Sequence, residues 1–516
     1  MYKCVCLLLP LLPLVGVAVA QDWEREGISF AMVESRALDL ANAEYHAPDK
    51  EALPGWMKAL TYDQYRDIRF DPHKALWADA KVPFRAMFFH PGYLFREPVT
   101  INEFTDTHRQ RVRLSESFFD YGPLVKNRGD IPADGGFAGF RLHAPLNDPS
   151  VFDELVVFQG ASYWRALGKG QHYGISARGL AIDTGAEGVP EEFPAFREFW
   201  LRKPAATDDR VVIFALLDSP SYSGAYEISV KPGEDTVMSV KAVLFARKEV
   251  KRLGIAPMSS MFWFGENSRR HFDDFRPEVH DSDGLAIRMG SGERIWRPIS
   301  NDTGNLGFSF FKMAKCEGFG LLQRDRRFSA FEDGEAAYHL RPSLWIEPTS
   351  DWGSGSVMLM EIPTGNELAD NTVAMWIPEV TPKRGDRMEF NYRQHWTMND
   401  DPSQAGGRVV ATRTGTHEWQ PKMRTMIVEF KGDNLVGKDG KMPEALVEAS
   451  GEAAAKIRIQ GVTVQPLSGG KVRLAFQIVA AEDGTELNGI GPIELRAALK
   501  REGDYLTETW VYRISP

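Results

Sequence analysis

From about Phe84 onward the apolar residues recur at every second position in short runs, and Pro, Gly and Asp break the runs apart. FRAMFFH, TINEFT, RVRLSESFF and FAGFRLHA all read this way. Successive side chains of a strand point to opposite faces, so period two marks half-buried strands. The clearest case is Ala225 to Ala246. YEISV alternates, Lys231-Pro232-Gly233-Glu234-Asp235 turns, and TVMSVKAVLFA returns, which predicts an antiparallel hairpin. Short strands without intervening helices exclude an α/β fold. They predict an all-β chain built around a large antiparallel β-sandwich.

Helical pattern is confined to the start. Ala31 to Tyr45 is rich in Ala, Leu and Glu, with Val33, Ala37, Leu40 and Ala41 on one face. Thr61 to Ile68 reads as a short second helix. A polar segment, Thr397 to Gly407 (TMNDDPSQAGG), then reads as a linker or long loop. Beyond it RVVATRT, RTMIVEF, AKIRIQGVTVQPL, KVRLAFQIVA, IELRAALK and LTETWVYRI are strand candidates separated by turns. Six or seven strands over roughly 110 residues suit an immunoglobulin-like sandwich. The expected division is 21–397, a linker at 398–407, and 408–516.

Residues 1–20 fit an export signal. Lys3 precedes an uncharged run from Val5 to Val17, and Ala18-Val19-Ala20 offers a small-residue cleavage site. Cleavage after Ala20 would make Gln21 the first mature residue. Pro10 and Pro13 interrupt a run already too short for a membrane span, and no later segment has eighteen uncharged apolar residues. An exported protein is expected. Of three cysteines, Cys4 and Cys6 lie in this segment, so only Cys316 remains and no intramolecular disulfide can form. A net charge of −10 argues against a nucleic-acid partner.

Gly318 to Glu379 is the densest stretch in functional residue types. Asp325, Glu332, Asp333, Glu347 and Asp351 are interleaved with Tyr338, Trp345 and Trp352, and Arg324, Arg326, Arg327 and Arg341 sit among them. Asp370 precedes the apolar run NTVAMWI. Rings, carboxylates and guanidinium groups on a β framework suit a sugar-binding cleft, and two carboxyl groups can cleave a glycosidic bond. A solvated charged sheet face has the same composition. Two further stretches share this character. Phe158 to Thr184 carries Tyr163, Trp164, Arg165, Tyr173 and Arg178, and Arg276 to Ile287 carries Glu278, His280, Asp281 and Asp283. Taken alone, each is better accounted for by core aromatics or by a polar loop that bonds its own backbone.

Other chemistries are excluded by motif. Gly168-Lys169-Gly170 lacks the Gly-Lys-Ser/Thr ending of a phosphate loop and reads as a β-turn. No H-x-H, H-E-x-x-H or cysteine pair points to zinc, and no G-x-S-x-G elbow is present. No metal or cofactor is expected.

The segments GASYWR, YGISARGLAIDT, EEFPAFREFW, ALLDSP, RPEVHDSDGL, ERIWRP, GFGLLQRDRRFSAFED and MEIPTGNELADNTVA together resemble the periplasmic glucans biosynthesis proteins. These are the G and D proteins of osmoregulated periplasmic glucan synthesis. The resemblance runs from about Phe30 to the C-terminus. An ordinary secretory signal without twin arginines favours the G branch. The chain departs from the family pattern in MEIPTGNELADN and in Asp325 of QRDR, neither of which removes a carboxylate the family uses.

The resemblance implies a galactose-mutarotase-like β-sandwich followed by an immunoglobulin-like one. It also implies action on β-1,2-linked glucan backbones downstream of an inner-membrane glucosyltransferase, as an inverting endo-β-1,2-glucanase. By motif, the general acid falls on Asp370 and the base on Asp281, with Tyr338 on the proton path. Tyr163, Trp164, Trp345 and Trp352 are candidates for stacking on glucose rings, and Arg178 and Arg341 for hydroxyl contacts. A glucan-binding partner of the synthase that does not cut, and a transglycosylase using the same carboxylates, remain open alternatives.

Overall fold

The computed structural model describes residues 27–514, apart from 50, 127, 133, 270, 271, 302, 303, 400–405, 418, 483–485 and 488. The expected export signal lies outside the described residues, as does most of the expected linker.

Two large sheets face each other. One has ten strands. Its path runs Arg85–Phe89, Gly139–Ala144, Asp153–Gln159, Tyr163–Ala166, Ser176–Arg178, Leu253–Ser260, Thr372–Pro378, Gly355–Glu361 and Gly307–Met313, with Leu180–Ile182 also paired to Leu253–Ser260. The other has fifteen strands, among them the predicted hairpin Tyr222–Lys231 and Thr236–Ala246, paired antiparallel from Tyr222↔Ala246 to Lys231↔Val237. Between the sheets lies one apolar core. Phe140, Phe158, Trp164, Leu359 and Trp376 come from the smaller sheet, and Ile213, Ile228, Leu344, Ile346 and Trp396 from the larger. Each alternates with residues directed the other way, as the period-two pattern requires.

The outer face of the larger sheet is also covered, in two places. The helix Phe30–Asn42 buries Val33 and Ala37 against Trp200, Phe214, Leu216 and Phe245. Further along, Ala286, Trp296, Leu322 and Trp345 pack into a second core with Val428, Phe430, Leu474, Phe476, Leu495 and Trp510 from the C-terminal strands. Those strands form two layers. Arg408–His417, Gln420–Lys431, Lys471–Ala480 and Ile457–Leu467 make a four-stranded sheet, while Glu444–Ser450, Ile493–Arg501 and Thr509–Ile514 extend the fifteen-stranded sheet. The join is a short parallel pairing, Ile295↔Thr509 and Trp296↔Trp510.

Local differences from the sequence reading have local causes. RVRLSESFF is not one strand: a strand ends at Arg111, and a 3-10 turn spans Glu116–Phe118 before Phe119–Tyr121. The Ser115 hydroxyl accepts from the Ser117 N–H and offers the backbone an alternative to the ladder. Glu444–Ser450 (EALVEAS) has a helix-forming composition, yet pairs fully with Ile493–Arg501 because tertiary pairing outweighs weak propensity. The helix expected over Thr61 to Ile68 is Tyr62–Arg66, preceded by a single helical turn at Gly55–Lys58, and is held by a reciprocal capping box between Thr61 and Gln64.

Candidate functional site

The outward face of the ten-stranded sheet carries an open cavity of about 520 Å³. Arg141, Val157, Gln159, Tyr163 and Arg165 line it with Phe89, Phe95, Tyr173, Ser176 and Asp370. The strand alternation that sends Phe140, Phe158 and Trp164 inward sends these neighbours out. A second opening of about 580 Å³ shares Phe95, Gln159 and Tyr163 with the first. The groove therefore continues past Tyr163 towards Phe193 and Arg197.

Asp370 closes a loop that leads into the strand Thr372–Pro378. Two asparagines pin this loop. Asn371 accepts from the Phe262 N–H at 2.8 Å and donates to the carbonyls of Phe262 and Ile362. Asn301 donates to the carbonyls of Trp263 and Thr364, and accepts from the Thr364 N–H. Glu367, in the same loop, accepts from the Tyr338 hydroxyl and from Arg276 Nη1 at 2.8 Å. Arg276 also reaches Asp333 and Asp274, at 2.9 Å each. One guanidinium thus ties the Asp370 loop to the turn before Tyr338.

Asp281 follows the short strand Val279–His280. Its N–H donates to the Met261 carbonyl at 2.8 Å, one residue before the Phe262 that holds Asn371. Arg341 Nη1 donates to Asp281 Oδ1 at 2.6 Å. The same guanidinium carbon stands 4.3 Å from the centre of the Tyr338 ring. Gly174 lies against this pair: an added Cβ would come within 3.0 Å of Arg341 Cβ and 3.3 Å of the Asp281 carboxyl carbon. Close approach, not backbone conformation, calls for glycine here. The His172 N–H bond to the Leu340 carbonyl, at 3.0 Å, keeps the two segments together.

The two carboxyl groups differ in setting. Asp281 has a side chain only 4% exposed, while that of Asp370 is 32% exposed at the cavity wall. Burial pushes the Asp281 carboxyl up, the Arg341 guanidinium opposes this, and the Asp370 charge adds a smaller upward push. Desolvation raises Asp370 as well, against Arg165, whose Nη2 is 3.6 Å from Oδ2, and against Arg341. Arg165 is steadied by a 2.7 Å bond to the Ser176 hydroxyl. Burial and the bond to Glu367 push the Tyr338 phenol far above its ordinary range.

Tyr163 and Asp370 therefore line one opening, and Asp281, Arg341 and Tyr338 form a connected cluster that Glu367 ties to the Asp370 loop. Four other residues singled out from the sequence are placed differently. Trp164 is 1% exposed and donates from Nε1 to Gln394 at 2.9 Å inside the core. Trp345, also 1% exposed, points to the outer face of its strand, where the C-terminal strands cover it. Trp352 is buried edge-on against Phe390 and Tyr392. None of these rings offers a face to a ligand. Arg178 is 3% exposed, donates to Glu191 at 2.9 Å, and lies 5.0 Å from the Tyr163 ring centre. It supports Tyr163 from behind and does not reach into the opening. Gly174, Arg276 and Glu367 were not candidates from sequence, and Arg165 was named there without a role. Arg165 was recoverable, since it shares a strand face with Tyr163. The others carry no local signal.

Among the described residues no helix is long and apolar enough to cross a membrane. Residues 28–514 match the family described as "Periplasmic glucan biosynthesis protein, MdoG". The Glucans biosynthesis protein G of Bradyrhizobium diazoefficiens is 44% identical over 500 residues, covering 97% of this chain and 96% of that protein. That of Ralstonia nicotianae is 43% identical over 494 residues, covering 94% and 95%. That of Pseudomonas aeruginosa strain LESB58 is 42% identical over 496 residues, covering 93% and 92%.

Proposed function

Because the chain belongs to the family of periplasmic glucan biosynthesis proteins, we propose that it acts in the periplasm as an inverting endo-β-1,2-glucanase on linear β-1,2-glucan backbones. The observation that carries this reading is the pairing of Asp281 and Asp370. They come from separate segments, lie within electrostatic reach of each other, and have contrasting settings. A protein that only binds glucan needs no such pair. The open groove running on past Tyr163 suits a polymer gripped away from its ends.

Asp370, at the cavity wall and raised by desolvation, holds the proton that the leaving glycosidic oxygen takes. Asp281 accepts the proton that the attacking water loses, and Arg341 supplies the positive charge that lets a buried carboxyl ionise. Both transfers occur in one step through an oxocarbenium-like transition state, and the configuration inverts. Tyr338, between Arg341 and Glu367, is placed to pass a proton or hold a sugar hydroxyl, and its raised pKa keeps it a donor. Tyr163, backed by Arg178, offers the ring on which a glucose face rests. The domain division at 398–407 and a link to a membrane glucosyltransferase belong to the same reading.

The test is a product assay. Purified protein is incubated with linear β-1,2-glucan beside its Asp370→Asn variant, following reducing ends and product sizes. New reducing ends from the unaltered protein alone support the hydrolase. New product sizes without new reducing ends mean transglycosylation. No products, with glucan still bound, mean a binding partner.

A further inference from the structure

The segment that carries Asp281 is held by its neighbours Leu322, Gln323 and Arg324. His280 Nδ1 bonds Gln323 Oε1 at 2.7 Å, and Gln323 Nε2 donates to the carbonyls of His280 at 2.9 Å and Tyr338 at 3.4 Å. On the other side of Asp281, the Asp283 N–H donates to the Leu322 carbonyl at 2.9 Å. Asp283 Oδ2 accepts from the Arg324 N–H at 3.0 Å. Three consecutive residues thus grip the chain before and after Asp281, and the chain at Tyr338 as well.

The Arg324 side chain leaves this cluster for the C-terminal strands. Its guanidinium carbon is 3.5 Å from the centre of the Trp296 ring. Nη1 and Nη2 donate to the two carboxylate oxygens of Glu508, at 2.5 and 3.0 Å, and Nη1 also reaches the Val409 carbonyl at 2.7 Å. Glu508 in turn accepts from the Val409 N–H at 2.6 Å. Both side chains are 6% exposed. A buried ion pair is a weak source of stability, because desolvation offsets its attraction. A two-pronged fork is however a strong source of geometric definition.

We propose that Arg324 and Glu508 are positioning residues for Asp281, through which the C-terminal strands set the register of the base against the cleft. The proposal rests on the reading of Asp281 as the base. It assigns the C-terminal strands a part in the reaction without giving them any contact with glucan. Leu322 is also held by its strand pairing with Gly284 and Gln323 by its N–H bond to Ser343, so loosening the fork acts through Arg324, whose N–H holds Asp283 two residues beyond Asp281. A displacement of the order of 1 Å at a reacting group costs up to roughly 100-fold in rate.

The test compares R324K and the double variant R324M/E508L with the unaltered protein, measuring kcat and KM on linear β-1,2-glucan, the pH profile of kcat, and the melting temperature. R324K keeps the charge and loses the fork. The double variant removes both charges, so neither is left buried alone. The expected result is a kcat lower by roughly 10–100-fold, an unchanged KM, an acid limb displaced in pH, and a folded protein. A role in stability alone would lower the melting temperature and leave the kcat and pH limb of the folded protein in place, which overturns the proposal. If the double variant does not fold, R324K decides by the same criteria. An unaltered protein that releases no reducing ends defeats the catalytic reading itself, and the proposal with it.

Discussion

Arg341 and Asp281 form a 2.6 Å charged hydrogen bond in which the carboxylate is buried and the guanidinium is partly exposed. Without that guanidinium, burial would hold Asp281 protonated at higher pH. Arg341→Gln keeps a hydrogen-bond donor and removes the charge. The acid limb of the kcat–pH profile should therefore move to higher pH, and the rate near neutrality should fall by about 100-fold or more. An unmoved limb in a folded variant would count against Asp281 as the base.

Glu367 offers a second test, because it links the Asp370 loop to Tyr338 and Arg276. Glu367→Ala should lower kcat by roughly 10–100-fold with little effect on KM, since it loosens the acid and removes no sugar contact. The melting temperature should change little, because Arg276 retains Asp333 and Asp274. Steady-state kinetics beside a thermal melt separates the two effects.

Tyr163 and Trp345 should behave in opposite ways. Trp345→Ala opens a cavity between the larger sheet and the C-terminal strands, at a cost of about 3–5 kcal/mol, with KM unchanged in whatever remains folded. Tyr163→Ala should raise KM about tenfold, or ~1.4 kcal/mol of binding, and affect stability much less. Chemical denaturation and glucan kinetics on both variants would expose a wrong placement of either ring.

The contact between Glu266 and the strand Arg408–His417 should make stability depend on pH. Glu266 accepts from the Thr412 N–H and pairs with Arg413 at 2.8 Å. Burial nevertheless raises its carboxyl from about 4.5 to about 7. Between those values the folded chain holds a proton that the unfolded chain has lost. Stability therefore falls as pH rises from about 4.5 to about 7, by at most about 3 kcal/mol. Glu266→Gln keeps an acceptor for Thr412 and removes the proton, so its profile should be flatter. Melts of both proteins across this range are the measurement, and equal slopes would exclude Glu266 as the source.

The sequence by itself determined the all-β architecture and the hairpin read at 225–246, while the expectation that Tyr163 and Trp164 both stack on glucose passed over the fact that neighbours on a strand face opposite sides. Alternation along a strand is a local property, set by the geometry of the pleat. The sequence pointed to Asp281, Tyr338 and Asp370 as candidates only through motifs shared with a family, since no spacing along the chain relates residues that far apart. Which strand faces are covered was decided by tertiary structure. Period two says that Leu344 and Trp345 point to opposite sides, but not that both sides are buried. Trp345 lost its exposed face because the C-terminal strands pack over it, and Arg178 was withdrawn from the cleft by Glu191. The grip of Arg324 on Glu508, 184 residues away, arises only where two separately legible sets of strands meet. Burial and charge pairing depend on what the rest of the chain brings alongside, and that is fixed only when the layers assemble.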